Sequence, residues 1–194
     1  MSIRSTILDT ILAIGGDAPL KTDTRLLRHK QPLPLVLAEI PGDIVELGAH
    51  TGYSTVEYSR IATQFDRQVQ VIDPWTDAGQ ELFVFLENTK SAKNIRLLRC
   101  ESQNNITVRY LIETKPFAFG FVDGLHTYEG AMSDIRTLIA NETQLICIDD
   151  VRHYVFSPPI MQAVFDAVKK WPEYEVIETP SNYQEIYLWK KDWP

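Results

Sequence analysis

The sequence predicts an α/β fold: a doubly wound, Rossmann-like sheet of seven strands, mostly parallel, ending in an antiparallel C-terminal hairpin and carrying helices on both faces. Three observations predict it. Five short apolar runs, "DIVEL", "VQVI", "IRLLRC", "FAFGFV" and "QLICI", are separated by segments long enough for crossover connections, as parallel strands require. Helical periodicity fills the intervals between them. The last two runs, "YEVIE" and "YQEIYLWK", follow one another with no room for a helix, so they must be antiparallel neighbours.

The elements follow in order. Ile3, Ile7, Leu8, Ile11 and Ile14 recur at helical spacing and "GGDAP" ends the run, which predicts an amphipathic first helix. Residues 20–42 hold Pro32, Pro34 and Pro41 and read as an irregular approach with at most one short helix. "YSTVEYSRIATQF" is a helix with Tyr58, Ile61, Ala62 and Phe65 on one face, and "ELFVFLENTK" is the next. A further helix is expected over residues 103–112. Tyr128, Ala131, Met132, Ile135, Leu138 and Ile139 mark another, and Ser157 is placed to cap the helix of "PPIMQAVFDAVKKW". The chain has 194 residues, of which 44% are hydrophobic, and shows no repeat or linker. It is expected to form one domain over 1–194, with 1–42 as helix and approach and 43–194 as core.

Charge and composition narrow the function. Nineteen Lys and Arg against 26 Asp and Glu give a net charge of -7, and no basic block could neutralise a phosphate backbone, which disfavours nucleic acid. No apolar stretch reaches the roughly 18 residues of a membrane span, and Arg4 interrupts the N-terminal pattern, so neither a membrane segment nor a signal peptide is expected. Cys100 and Cys147 each follow an apolar run and read as small buried residues near strand ends, not as a disulfide. The expected compartment is the cytoplasm.

Ligands of open α/β sheets sit outside the carboxyl ends of the strands. Those ends are acidic here: Glu46, Asp73, Glu101, Asp123, and the adjacent Asp149 and Asp150. Carboxylates at strand ends often cap the following helices, but six at five successive ends repel one another unless something cationic is bound. The first strand runs into "GAHTG", which lacks the third glycine of G-x-G-x-x-G, so a pyrophosphate on a helix N-terminus is not supported. A cationic or zwitterionic cofactor without phosphate suits the acids better.

With "VELGAHTG" and Asp73 at the next strand end, the chain resembles the class I S-adenosylmethionine-dependent methyltransferases. That resemblance implies S-adenosyl-L-methionine as cofactor. Gly48 and Gly52 would let the backbone approach the methionine part, Glu46 would order the loop and the amino group, and Asp73 would accept the ribose hydroxyls. Adenine would lie near Trp75, Cys100, Glu101 and Ser102, and the implied cofactor set also takes in Ala49, Tyr53, Ser54 and Asp123.

"GAHTGYST" is similar to the loop of the caffeoyl-CoA and catechol O-methyltransferases. "FVDGLHTYEGAMSDI" with "ICIDDV" resembles the macrocin and mycinamicin sugar O-methyltransferases. Together these likenesses span residues 43–155, and they imply a divalent cation, Mg²⁺, on Asp123, Asp149 and Asp150. They imply His126 as the base for a hydroxyl of a small acceptor, and a homodimer is compatible with them. The chain departs from these relatives in having "ANETQ" before the fifth strand, Leu125 at an often polar position, and no additional domain or long lid. Two other readings share the cofactor: a metal-independent methyltransferase with His126 alone as base, and a non-catalytic S-adenosylmethionine-binding protein. His50, Arg152 and His153 lie near the same strand ends and receive no firm role.

Overall fold

The computed structural model describes residues 3–13, 32–76, 79–104, 106, 110–111, 116–152, 157–179 and 184–192. The strands are β1 (Ile44–Leu47), β2 (Val69–Asp73), β3 (Ile95–Arg99), β4 (Phe119–Val122), β5 (Leu145–Ile148), β6 (Tyr174–Ile177) and β7 (Ile186–Lys190). The helices are α1 (Ile3–Ala13), α2 (Leu33–Glu39), α3 (Tyr53–Thr63), α4 (Gln80–Thr89), α5 (Tyr128–Ala140) and α6 (Ser157–Lys170).

All seven strands lie in one sheet, in the order β3-β2-β1-β4-β5-β7-β6. The pairings from β3 through β5 are parallel, whereas β7 is antiparallel to both β5 and β6. The hairpin is therefore present, with β7 inserted so that β6 forms the edge. Strand order reverses between β1 and β4, which places the switch point, and the crevice that goes with it, at the carboxyl ends of those two strands.

The central strands are buried along their whole length, as parallel strands covered on both faces must be. Alternate side chains feed two cores. Ile44, Val69, Val71, Phe119, Phe121 and Cys147 pack with α1, α2 and α3 on one face. Val45, Leu47, Ile72, Val122, Ile146 and Ile148 pack with α5 and α6 on the other. Each such aliphatic side chain contributes about 1.5–3 kcal/mol relative to exposure.

The short helix in the proline-rich approach is α2, with Pro34 in its first turn where a missing N–H costs nothing. Ser157 is the first residue of α6 itself. Of the helix expected over 103–112, Ile106, Tyr110 and Leu111 are helical, and residues 105, 107–109 and 112 lie outside the described residues, as do Ile14, His29 and His153. Both cysteines are free.

Candidate functional site: a cleft at the switch point

The loop after β1 is held by a backbone contact that only glycine allows. Gly48 has φ +89°, and a β-carbon there would lie 2.0 Å from the carbonyl oxygen of Asp123. The ends of β1 and β4 thus touch through backbone alone. Gly52, at φ +82°, opens α3 against the ring of Phe85, which a β-carbon would approach to 2.8 Å.

Glu46 lies beneath this loop, fully buried. One carboxylate oxygen accepts from the Ser54 hydroxyl and the other from Thr55 Oγ1, at 2.5 Å for Thr55. Burial raises its pKa from the ordinary 4.5 to about 7 against the pull of those two hydroxyls. It therefore braces the start of α3 from below.

Asp73 ties the same loop to β2. Its Oδ2 accepts the N–H groups of Ala49 at 2.8 Å and His50 at 2.9 Å, and its Oδ1 accepts that of Trp75 at 2.8 Å. Trp75 in turn donates its indole N–H to the carbonyl of His50 at 2.7 Å and packs on Phe85, with ring centroids 5.0 Å apart. His50 and Trp75 both take positive φ, at +47° and +42°, so the carboxylate stabilises a backbone that their side chains disfavour.

The remaining acids meet around one imidazole. His126 Nε2 lies 3.4 Å from Asp123 Oδ1 and 3.2 Å from Asp150 Oδ2. The three side chains can bring one donor atom each within 4.8 Å of one another. Hydrogen bonding to Asp123 raises the His126 pKa against a smaller opposing effect of burial. His126 is fixed just ahead of α5, where the Thr127 hydroxyl accepts the N–H of Gly130 at 3.1 Å.

Asp149 stands outside that group: its Oδ1 accepts the Asp150 N–H at 2.7 Å, and burial, with Asp123 and Glu185 nearby, pushes its pKa well up. The repulsion expected among the strand-end acids is therefore relieved by the protein's own atoms. Three N–H groups serve Asp73, burial suppresses the charge of Glu46 and Asp149, and one imidazole faces both Asp123 and Asp150.

A cleft of about 640 Å³ runs along these strand ends. Of the residues singled out in the sequence, Gly48, Asp73, Trp75, Glu101, Ser102, Asp123 and His126 line it. Glu46, Ala49, Gly52, Tyr53, Ser54, Asp149 and Asp150 do not. Ala49 and Ser54 act through the loop's own hydrogen bonds, and Tyr53 is exposed. Cys100, also expected near the adenine, is half-buried beside the core and not on the lining.

Three lining residues had no role in the sequence reading: Gln103, Glu81 and His50, the last two paired at 2.9 Å on the rim. Gln103 could have been found as the continuation of "RCES" past the end of β3. Glu81 carried no signal, because only the packing of α4 brings it to the loop. Arg152 points elsewhere, bonding Thr179.

A family model described as a methyltransferase domain matches residues 45–153, more than half of the chain. The chain belongs to that methyltransferase family. Solved structures agree on the fold at low sequence identity. The methyltransferase is similar to the apo form of CalS11, a TDP-rhamnose 3'-O-methyltransferase of calicheamicin biosynthesis, with TM-score 0.61 and 14% identity over 98% of this chain and 94% of that one. An O-methyltransferase from Bacillus cereus in complex with S-adenosylhomocysteine gives TM-score 0.62 and 15% identity, covering 97% and 90% of the two chains. PaMTH1 of Podospora anserina, also bound to S-adenosylhomocysteine, gives 0.61 and 13%, covering 96% and 88%. No curated protein matches the methyltransferase's sequence. Among its described residues no helix is long and apolar enough to cross a membrane.

Proposed function

We propose that this methyltransferase moves the methyl group of S-adenosyl-L-methionine to a hydroxyl oxygen of a small molecule, such as a sugar or secondary metabolite. One observation carries the reading: a single cleft is lined at one end by the glycine loop, at the other by Ser102 and Gln103, and between them by Asp123 and His126. Its volume lies in the range of small-molecule and cofactor sites. The neighbours that hold S-adenosylhomocysteine share this fold. The net charge of -7 favours a small acceptor over nucleic acid.

In this reading the loop and Asp73 hold the cofactor's methionine and ribose parts, and the imidazole of His126 takes the acceptor's proton as oxygen attacks the methyl carbon in line. Asp123 and Asp150 orient the ring and stabilise the imidazolium that forms.

The same geometry supports a divalent cation. Asp123 and Asp150 offer two hard oxygens and His126 one nitrogen in a compact group, leaving room for waters or substrate oxygens. A cation held there would polarise a hydroxyl and lower its pKa. Mg²⁺ fits the two carboxylates; a nitrogen third donor suits Mn²⁺ or a later metal equally well.

Calorimetric titration with S-adenosylmethionine and S-adenosylhomocysteine tests the foundation, with binding below millimolar expected. Loss of methyl transfer under EDTA, restored by Mg²⁺ or Mn²⁺, supports the cation; full activity in EDTA leaves His126 as the base without it. Binding of cofactor with no transfer to any hydroxylated acceptor would favour a non-catalytic binding protein.

A further inference from the structure

One buried acid of this cleft belongs to neither the glycine loop nor the imidazole group. Asp134, on α5, is 1% exposed, and its Oδ1 accepts from the side-chain amide Nε2 of Gln103 at 3.0 Å. Gln103 Nε2 also donates to the hydroxyl oxygen of Ser102. Asp134 Oδ2 is buried with no hydrogen-bond partner and points at Gly124, where a β-carbon would lie 3.0 Å away. Ser102, Gln103 and Gly124 all line the cleft. A carboxyl group is thus set directly behind the wall and reaches the ligand side only through Gln103.

The chemistry of an amide makes that contact directional. A glutamine side chain can present either its NH₂ or its carbonyl oxygen to a ligand, and a half-turn about one bond exchanges them. With both N–H groups directed at Asp134 and Ser102, the carbonyl oxygen is left to face the cleft. Either protonation state of Asp134 preserves an accepting oxygen, so the choice holds although burial lifts this acid toward about 6.

We propose that Asp134 is a positioning residue that locks the Gln103 amide with its carbonyl toward the cleft, so that this end of the site selects a purine carrying a 6-amino donor over a 6-oxo purine. The inference rests on the S-adenosylmethionine reading and adds to it the device that reads the base. A 6-oxo group would meet the Gln103 oxygen as acceptor against acceptor, and relieving that clash requires the amide to turn its NH₂ outward and abandon the buried carboxyl group.

The test compares binding of S-adenosylhomocysteine and S-inosylhomocysteine by calorimetry in the wild type, Asp134→Leu, Asp134→Asn and Gln103→Leu. The wild type is expected to prefer the adenosyl compound by about tenfold or more, the effect of one hydrogen bond made or opposed. Asp134→Leu and Gln103→Leu should bring the ratio near unity. Asp134→Asn should keep the preference, because its carbonyl still accepts from Gln103. A merely structural acid would alter melting temperature and both affinities together and leave their ratio alone. Gln103→Leu leaves the buried position untouched, so it gives an answer even where Asp134→Leu fails to fold. An unchanged ratio in the folded Leu variants overturns this proposal alone, whereas binding of neither compound by the wild type overturns the cofactor reading beneath it.

Discussion

The carboxylate of Asp73 accepts the backbone N–H of Ala49 at 2.8 Å across 24 residues of sequence. With the further bonds to His50 and Trp75 it fixes the end of β2 to the loop after β1. An acid expected only to meet ribose is thus already at work in shaping the cleft. Asp73→Ala should orphan three N–H groups and cost about 3 kcal/mol or more, since each stranded partner costs on the order of 1–3 kcal/mol. Urea unfolding checks the stability, and S-adenosylhomocysteine calorimetry should show affinity lower by more than about tenfold. Wild-type affinity in a variant of lowered stability would separate the anchor from the binding site.

The three positive-φ glycines at the cleft should respond unequally. Gly48→Ala places a methyl 2.0 Å from the Asp123 carbonyl, backbone against backbone, and should cost about 3 kcal/mol or more, or prevent folding. Gly79, at φ +84°, has nothing within 4 Å of its added β-carbon, so Gly79→Ala should cost only the conformational strain of about 1–2 kcal/mol. Gly52→Ala meets a ring that can shift and should fall between them. Denaturant midpoints of the three variants give the order; equal losses would mean that contact with Asp123 is not what requires glycine at 48.

Much of this was legible in the chain because strand ends announce themselves. An apolar run terminating in an acid located Asp73 and Asp123, and the order of runs supplied the sheet and its hairpin. The seven lining residues named from sequence all sit on or beside strand ends or tight turns. What stayed hidden depends on packing at a distance. Asp134 lies mid-helix on α5 and becomes part of the site only because that helix presses Gly124 and Gln103 together. Glu81 and His50 meet only through the seating of α4. Asp149 and Asp150 are neighbours in sequence, yet one is buried and the other reaches the imidazole, a difference set by backbone direction at a single turn, where Asp150 adopts φ +56°.

Glu46 should leave a signature in the pH dependence of stability. Its folded pKa of about 7 lies above its ordinary 4.5, so the folded state holds a proton that the unfolded chain has already released. The contribution is fully present below pH 4.5, declines through the interval, and is gone once pH passes 7, a loss on the order of 3 kcal/mol. Glu46→Gln removes the titrating group while keeping an acceptor for one of the two hydroxyls. Melting curves between pH 5 and 8 should therefore fall less steeply for the variant than for the wild type. Parallel curves would show that Glu46 is ionised in the fold throughout.

His126 should matter for turnover far more than for stability, because its ring is partly exposed and closes no core. His126→Ala is expected to lower kcat by about 10²–10⁴-fold, the usual worth of a positioned general base. The melting temperature and S-adenosylhomocysteine affinity should stay close to wild type. Partial rescue by added imidazole would identify proton transfer as the missing function, and undiminished turnover would remove His126 from the mechanism.

The adjacent acids should separate under substitution. Asp150 Oδ2 faces the imidazole at 3.2 Å and belongs to the group able to hold a cation, whereas Asp149 is buried, displaced from that group, and pushed toward its neutral form. An amide is a close mimic of a neutral carboxyl group, and Asn at 149 can still accept the N–H of residue 150 through its carbonyl. Asp149→Asn should therefore leave Mn²⁺ affinity, read by calorimetry or by the loss of free-ion signal in electron paramagnetic resonance, within about threefold of wild type. Asp150→Asn removes a charged oxygen donor and should weaken binding by about tenfold or more. Equal losses would mean that Asp149 turns outward to share the ion, placing it beside Asp123 and Asp150 as an oxygen ligand and freeing His126 to act only as base.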